Sequence, residues 1–252
     1  MQVVEGIDAL RAPLGPLFVV VGVFDGLHLG HAYLLEHLVR DAAVRGAEPT
    51  VITFDHHPDE VLTGKAPPLL LDPEERLARL EAAGVTVTVV QHFDEALRRT
   101  PYDAFVERIR ARVALRGFLM TPDAAFGYER RGTPAAVAEL GVHDGFDVVV
   151  IPPFTADGQD VRSSAIRAAI AAGDLAAAAR WLGRPVTISG TIQGHAGMRA
   201  RLDLPLPVAL PPDGDYAVEV RGARTTLRIA GGGAWLTGDW PDGRVTVVLG
   251  QS

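Results

Sequence analysis

The chain has 252 residues, 48% of them apolar, which is enough to bury a sizeable core in one large domain or in a large one plus a small one. Its formal net charge of −7 argues against a protein that coats nucleic acid, since binding a phosphate backbone calls for a clustered basic surplus. With no cysteine there are no disulfides, no thiolate nucleophile and no Cys-ligated zinc.

The N-terminus, MQVVEGIDALRAPLG, is acidic and has no apolar h-region, so it does not read as a signal peptide; no later stretch is long and apolar enough for a bilayer. A cytoplasmic protein without a membrane partner is the expectation. Phe18 to Val23 is a continuous apolar, β-branched run, as in a strand buried on both faces of a parallel sheet. After Gly30, residues Leu34, Leu35, Leu38, Val39 and Ala42 recur at helical spacing, and Glu48 to Phe54 returns to strand composition. The only lysine, Lys65, lies in Leu62-Thr63-Gly64-Lys65-Ala66-Pro67, which lacks the hydroxyl and spacing of a P-loop. Asp72-Pro73-Glu74-Glu75 supplies an N-cap, a proline at N1 and an acidic first turn for a helix running to Gly84. Val85 to Gln91 reads as a strand, Tyr102 to Arg116 as an amphipathic helix, and Phe146 to Ile151 as another buried strand. Near Gly183-Arg184-Pro185 the texture changes to short strand-like runs, Val186–Ile192, Tyr216–Val220, Thr225–Ile229, Ala234–Thr237 and Arg244–Leu249, parted by Pro, Gly and Asp. The expected fold class is α/β, a Rossmann-like doubly wound parallel sheet over residues 1–185, followed by a small antiparallel β module over 186–252.

The segment with most chemical content is Gly22-Val23-Phe24-Asp25-Gly26-Leu27-His28-Leu29-Gly30-His31, between the first strand and the first helix. In a doubly wound sheet this turn aims helix N–H groups and a positive dipole end at a phosphate. Gly26 and Gly30 remove side chains where a polyphosphate must approach the backbone. His28 and His31 place donors where charge develops as pyrophosphate leaves an α-phosphorus, a reaction that asks for positioning and charge stabilisation and for no nucleophilic side chain. Further on, Arg162-Ser163-Ser164 and Arg167 read either as a plain helix cap or as a second phosphate clamp, and the first motif favours the clamp. Asp55-His56-His57-Pro58-Asp59-Glu60 also admits a metal-cluster reading. Adjacent histidines leaving a strand point in different directions, so no site built from protein ligands alone is expected there; Mg²⁺ bridged by ATP phosphates is.

The string GVFDGLHLGH resembles the nucleotidyltransferase signature of the prokaryotic bifunctional riboflavin kinase/FMN adenylyltransferases. The resemblance continues through Thr53-Phe54-Asp55-His56-His57-Pro58, Pro73 to Leu80, Phe126-Gly127 with Gly132-Thr133, Arg162 to Arg167 and Ala171 to Pro185. It implies an HxGH nucleotidyltransferase fold, ATP as substrate with Mg²⁺, and FMN as acceptor. It further implies His28, His31 and Arg167 as catalytic, Gly22, Phe24, Asp25, Gly26, Gly30, Ser163 and Ser164 at ATP, and His57, Pro58, Asp123 and Phe126 at the acceptor.

The chain departs from that pattern at three places. Met120 to Gly127 lacks the first Gly and first Phe of the family's stretch, leaving Ala124 where an aromatic ring is usual, and Ala165 replaces a Thr. His195 to Pro207 carries neither the Thr nor the Asn of the kinase module's Gly-Phe-Pro-Thr-Ala-Asn motif, so residues 186–252 read as a shortened barrel without kinase activity. Three functions stay open: AMP transfer to FMN, AMP transfer to another phosphate ester, and a non-catalytic nucleotide or flavin sensor. The oligomeric state is not legible.

Overall fold

The computed structural model of the chain describes residues 1–156, 158–195 and 199–250. These form two compact units, one of Met1–Phe24, Gly30–Pro67 and Leu77–Thr155, the other of Asp25–Leu29, Pro68–Arg76 and Ala156–Ser252.

The first unit is built on a six-stranded sheet of β1 (Gln2–Glu5), β2 (Leu17–Val21), β3 (Glu48–Phe54), β4 (Val87–Gln91), β5 (Leu115–Met120) and β6 (Asp147–Val150). The strand order is β1-β4-β3-β2-β5-β6 with every pair parallel. Parallel strands covered on both faces must be apolar throughout, and β2 and β3 meet that condition: Phe18, Val19, Val51 and Ile52 are fully buried. The helices of the chain are α1 (Leu29–Val44), α2 (Pro58–Thr63), α3 (Pro73–Ala82), α4 (Glu95–Arg98), α5 (Tyr102–Arg110), α6 (Pro134–Asp144), α7 (Ser163–Ala171) and α8 (Leu175–Leu182). Leu10, Ile52, Val89, Val106, Ile109 and Phe118 lie in one core cluster of this unit. Strand order reverses between β2 and β5, so the carboxyl ends of these two strands flank a topological switch point, where open α/β sheets bind ligands.

Two elements read from the sequence are corrected. The helix expected over Tyr102–Arg116 stops at Arg110, and Leu115–Met120 is strand β5, paired with both β2 and β6. Val113 extends the helical spacing from Ile109, but pairing with β2 decides the outcome, and Gly117 lets β6 come so close that a Cβ there would lie 2.2 Å from the Asp147 carbonyl oxygen. The run Phe146–Ile151 does contain a strand, but β6 is an edge strand with Val150 48% exposed, not one buried on both faces. Strand β1 and helix α6 carried no sequence expectation.

In the second unit, β9 (Thr187–His195), β10 (Arg199–Asp203), β11 (Gly214–Val220), β12 (Ala223–Ala230), β13 (Gly233–Thr237) and β14 (Gly243–Leu249) close into an antiparallel barrel, in the order β10-β13-β12-β11-β14-β9. Alternating residues such as Ile188, Leu202, Val220, Leu227, Leu236 and Val247 fill its interior. A two-residue ladder of β7 (Thr155–Ala156) and β8 (Gln159–Asp160) precedes α7. In the stretch expected to lack the kinase motif, residues 196–198 lie outside the described residues, while β10 supplies a barrel strand. No helix among the described residues is long and apolar enough to cross a membrane.

Candidate active site

The turn after β2 runs through an unusual backbone. Phe24, Gly26 and Leu27 have φ of 54°, 81° and 38°, and non-glycine residues hold such angles only where their surroundings over-determine them. The second unit supplies those surroundings for residues 25–29. Both carboxylate oxygens of Asp25 accept from the Leu70 backbone N–H at 3.0 and 3.1 Å, and one also accepts from Arg167 Nη2 at 2.5 Å. Arg167 Nε donates to the Pro68 carbonyl at 2.7 Å. Asp25 is 3% exposed, so this is a nearly buried ion pair in which each carboxylate oxygen accepts at least one hydrogen bond.

The carbonyls of the turn are held as well. Ser163 Oγ donates to the Asp25 carbonyl at 3.0 Å, Arg184 Nη2 to that of Gly26 at 2.6 Å, and Arg184 Nη1 to that of Leu27 at 3.2 Å. Each of these bonds fixes one peptide plane of the turn. Gly26 tolerates no side chain here: a Cβ would meet Leu70 Cδ1 at 3.0 Å on a left-handed backbone.

His28 is 5% exposed. Burial, followed by the nearby Arg184 and Arg167 guanidinium groups, pushes its imidazole down from 6.5 to about 4, so it is neutral near pH 7. Arg162 is the N-cap of α7 without a side-chain capping bond, Ser163 bonds the turn in place of its own helix, and Ser164 is exposed in the first turn. The plain-cap reading of Arg162-Ser163-Ser164 is not what these side chains do.

In the first unit, Gly22 extends β2 through a bond from its N–H to the Ile52 carbonyl, and Thr53 Oγ1 donates to the Val23 carbonyl at 3.0 Å. The buried Phe24 ring packs 5.1 Å from the His31 ring, and Gly30 and His31 stand in the first turn of α1. At the switch point lies a cavity of about 690 Å³, within the range of small-molecule sites. Phe54, Phe93, Phe105, Phe118 and Phe126 contribute to its wall, with Arg98, Thr121, Glu129 and Arg130 as polar lining.

Of the expected acceptor residues, Pro58 and Phe126 line the cavity, and so does Ala124. Phe126 packs on Phe105 and Phe118 at 5.3 and 5.5 Å. His57 and Asp123 are not in its lining. His57 is the N-cap of α2, its Nδ1 accepting from the Asp59 N–H at 3.2 Å, and Asp123 is exposed and accepts from Thr121 Oγ1. Asp55 follows the last residue of β3, its N–H bonded to the Gln91 carbonyl. Partial burial raises its carboxyl pKa, but hydrogen bonds from His92, His56 and the Phe93 and His56 N–H groups outweigh that and hold it near 2.

Sequence reasoning assigned no role to Arg184 or to the Pro68–Leu70 segment. An arginine just past a helix stop carries no spacing that says where it reaches, and a backbone donor in a loop leaves no mark on the sequence at all.

Comparison with known proteins follows the same lines. A family model described as FAD synthetase matches residues 12–165. The bifunctional riboflavin kinase/FMN adenylyltransferase of Haemophilus influenzae is 32% identical over 229 residues, 88% of this chain and 74% of that protein. Its counterpart in Escherichia coli K12 is 31% identical over 231 residues, with the same coverage. Among solved structures, a Streptococcus pneumoniae protein described as a macrolide-efflux protein superposes with a TM-score of 0.82 at 22% identity, over 99% of this chain and 89% of that one, a likeness of fold.

Proposed function

This chain belongs to the FAD synthetase family and is a nucleotidyltransferase of the FMN adenylyltransferase type, and from that premise we propose that it moves AMP from ATP onto FMN, giving FAD and pyrophosphate. A phosphate oxygen of the acceptor attacks the α-phosphorus in line, a P–O bond forms, and the bond to the β-phosphate oxygen breaks. The observation that carries the reading is the bonding of the Asp25, Gly26 and Leu27 carbonyls to Ser163 and Arg184, which holds the signature turn in one conformation to receive the triphosphate.

His28, His31 and Arg167 then stabilise charge on the departing pyrophosphate, with Gly22, Phe24, Asp25, Gly26, Gly30, Ser163 and Ser164 shaping or contacting the ATP site. His28, neutral near pH 7, acts as a hydrogen-bond donor and not as a fixed cation. Mg²⁺ would offset the charge of the leaving pyrophosphate. The donor set fits an ion held by phosphate oxygens and water, because the carboxylate of this turn is committed to Leu70 and Arg167. The aromatic cavity suits a planar ring system, with Pro58 and Phe126 in its wall; His57 and Asp123, outside that wall, are assigned to the acceptor by the family resemblance alone. Residues 1–185 carry the transfer and 186–252 form a barrel without riboflavin kinase activity, in a cytoplasmic enzyme whose partners are small molecules, with no nucleic acid or membrane.

A second acceptor has one observation in its favour: Ala124 lines the cavity, where the family's usual aromatic ring would fill more of it. Incubation with Mg-ATP and a panel of phosphate esters, following pyrophosphate, separates the readings. Release with FMN is the expected result; release only with another ester moves the assignment to that acceptor, and none with any ester makes the chain a binding protein.

A further inference from the structure

We infer that Asp55, His56 and His92 form a binding site for a first-row transition-metal ion at the carboxyl edge of the parallel sheet. The inference is independent of the transfer reaction. Strand register creates the cluster: Phe54 pairs with Gln91, so the next residue of each strand, Asp55 and His92, leaves the sheet side by side. The Asp55 N–H donates to the Gln91 carbonyl at 3.2 Å and the Phe93 N–H to Asp55 Oδ1 at 3.1 Å, which fixes the carboxylate against the β4 end. Around it stand two imidazoles, His92 Nδ1 at 2.6 Å and His56 Nδ1 at 3.1 Å, with the rings edge to face at 5.5 Å.

One donor atom from each of the three residues lies within 4.8 Å of the others. Tetrahedral zinc with bonds of about 2.0–2.1 Å needs donors about 3.4 Å apart, so an ion entering the cluster would replace the 2.6 Å contact of Asp55 with His92, opening that pair to admit the metal. The His56 and His92 side chains are 51% and 61% exposed and can rotate to do so, whereas the Asp55 backbone is held. Two imidazoles and a carboxylate are a borderline donor set, suited to Zn²⁺, Co²⁺, Ni²⁺ or Cu²⁺ more than to Mg²⁺, and three ligands leave a position open. The neighbouring acids and histidine do not compete: Asp94 caps α4 through the Leu97 N–H, and His57 caps α2. Phe54 and Phe93, next in the chain to two of the ligands, line the aromatic cavity. His57 is engaged with Asp59; the second imidazole comes from His92, 36 residues further on and invisible to local spacing.

The test is titration of chelator-treated full-length protein with Co²⁺, read by visible absorption, and with Zn²⁺, read by calorimetry, without ATP or flavin. One saturating equivalent is expected. His92→Ala and Asp55→Asn should each weaken it by about tenfold or more, while His143→Ala, at an exposed histidine paired with Asp144 elsewhere, leaves it unchanged. His92 is exposed, so its variant should melt like the parent, and His56→Ala repeats the test should Asp55→Asn misfold. Absence of saturable binding, or equal affinity in the parent and His92→Ala, overturns the site.

Discussion

His28 carries a burden that its sequence neighbours do not reveal. An imidazole that is 5% exposed and faces Arg184 and Arg167 resists protonation, so its affinity for a proton is lower in the folded chain than in the unfolded one. Between about pH 4 and pH 6.5 the unfolded chain therefore binds the extra proton. The stabilisation is complete above pH 6.5 and is lost as the pH falls towards 4, a contribution of about 3 kcal/mol over the window. Denaturant melts of the parent and His28→Gln across that range should show the variant losing less stability on acidification; parallel curves would mean that His28 titrates normally. The expectation of a phosphate site in this turn rests on its glycine and histidine residue types, which are local to the sequence. The neutrality of His28 was not legible there, since Arg184 and Arg167 stand more than 130 residues away in the chain.

At the scale of elements, Asp25 ties the turn after β2 to the Pro68–Leu70 segment and to α7, through two hydrogen bonds from Leu70 and an ion pair with Arg167, whose side chain is 17% exposed. Replacing it by Asn leaves that guanidinium largely buried without its counter-charge, which should cost about 3 kcal/mol in a denaturant melt. A loss within 0.5 kcal/mol would show that the pair does not fix the turn. Strands β2 and β3, α1 and the start of α3 were readable from composition and caps, because a doubly covered strand and a proline-led helix start each have a local signature. The end of α5 and the start of β5 were not: Val113 and Leu115 suit either period, and only the partners β2 and β6 settle which one applies. The edge position of β6 is likewise a property of its neighbours and not of Asp147–Val150. The cavity wall was half legible, with Pro58 and Phe126 expected and Phe54, Phe93 and Phe105 brought in by the sheet edge.

At the scale of the whole molecule, a parallel sheet with its switch point and a closed antiparallel barrel share one chain. The barrel keeps an apolar interior, while β10 begins within the stretch that carries neither the Thr nor the Asn of the kinase motif. The protein should accordingly form no FMN from riboflavin and Mg-ATP under conditions where it converts FMN; appearance of FMN by chromatography would restore kinase activity to the barrel. The transfer assignment meets its most direct test in a single turnover of excess enzyme with Mg-ATP and FMN, quenched and resolved for FAD, in parallel for the parent and His31→Ala. FAD should accumulate to the level of the limiting substrate in the parent and form about 10² or more times slower in the variant, with both proteins folded. No FAD from the parent, or equal rates from the two, would contradict it.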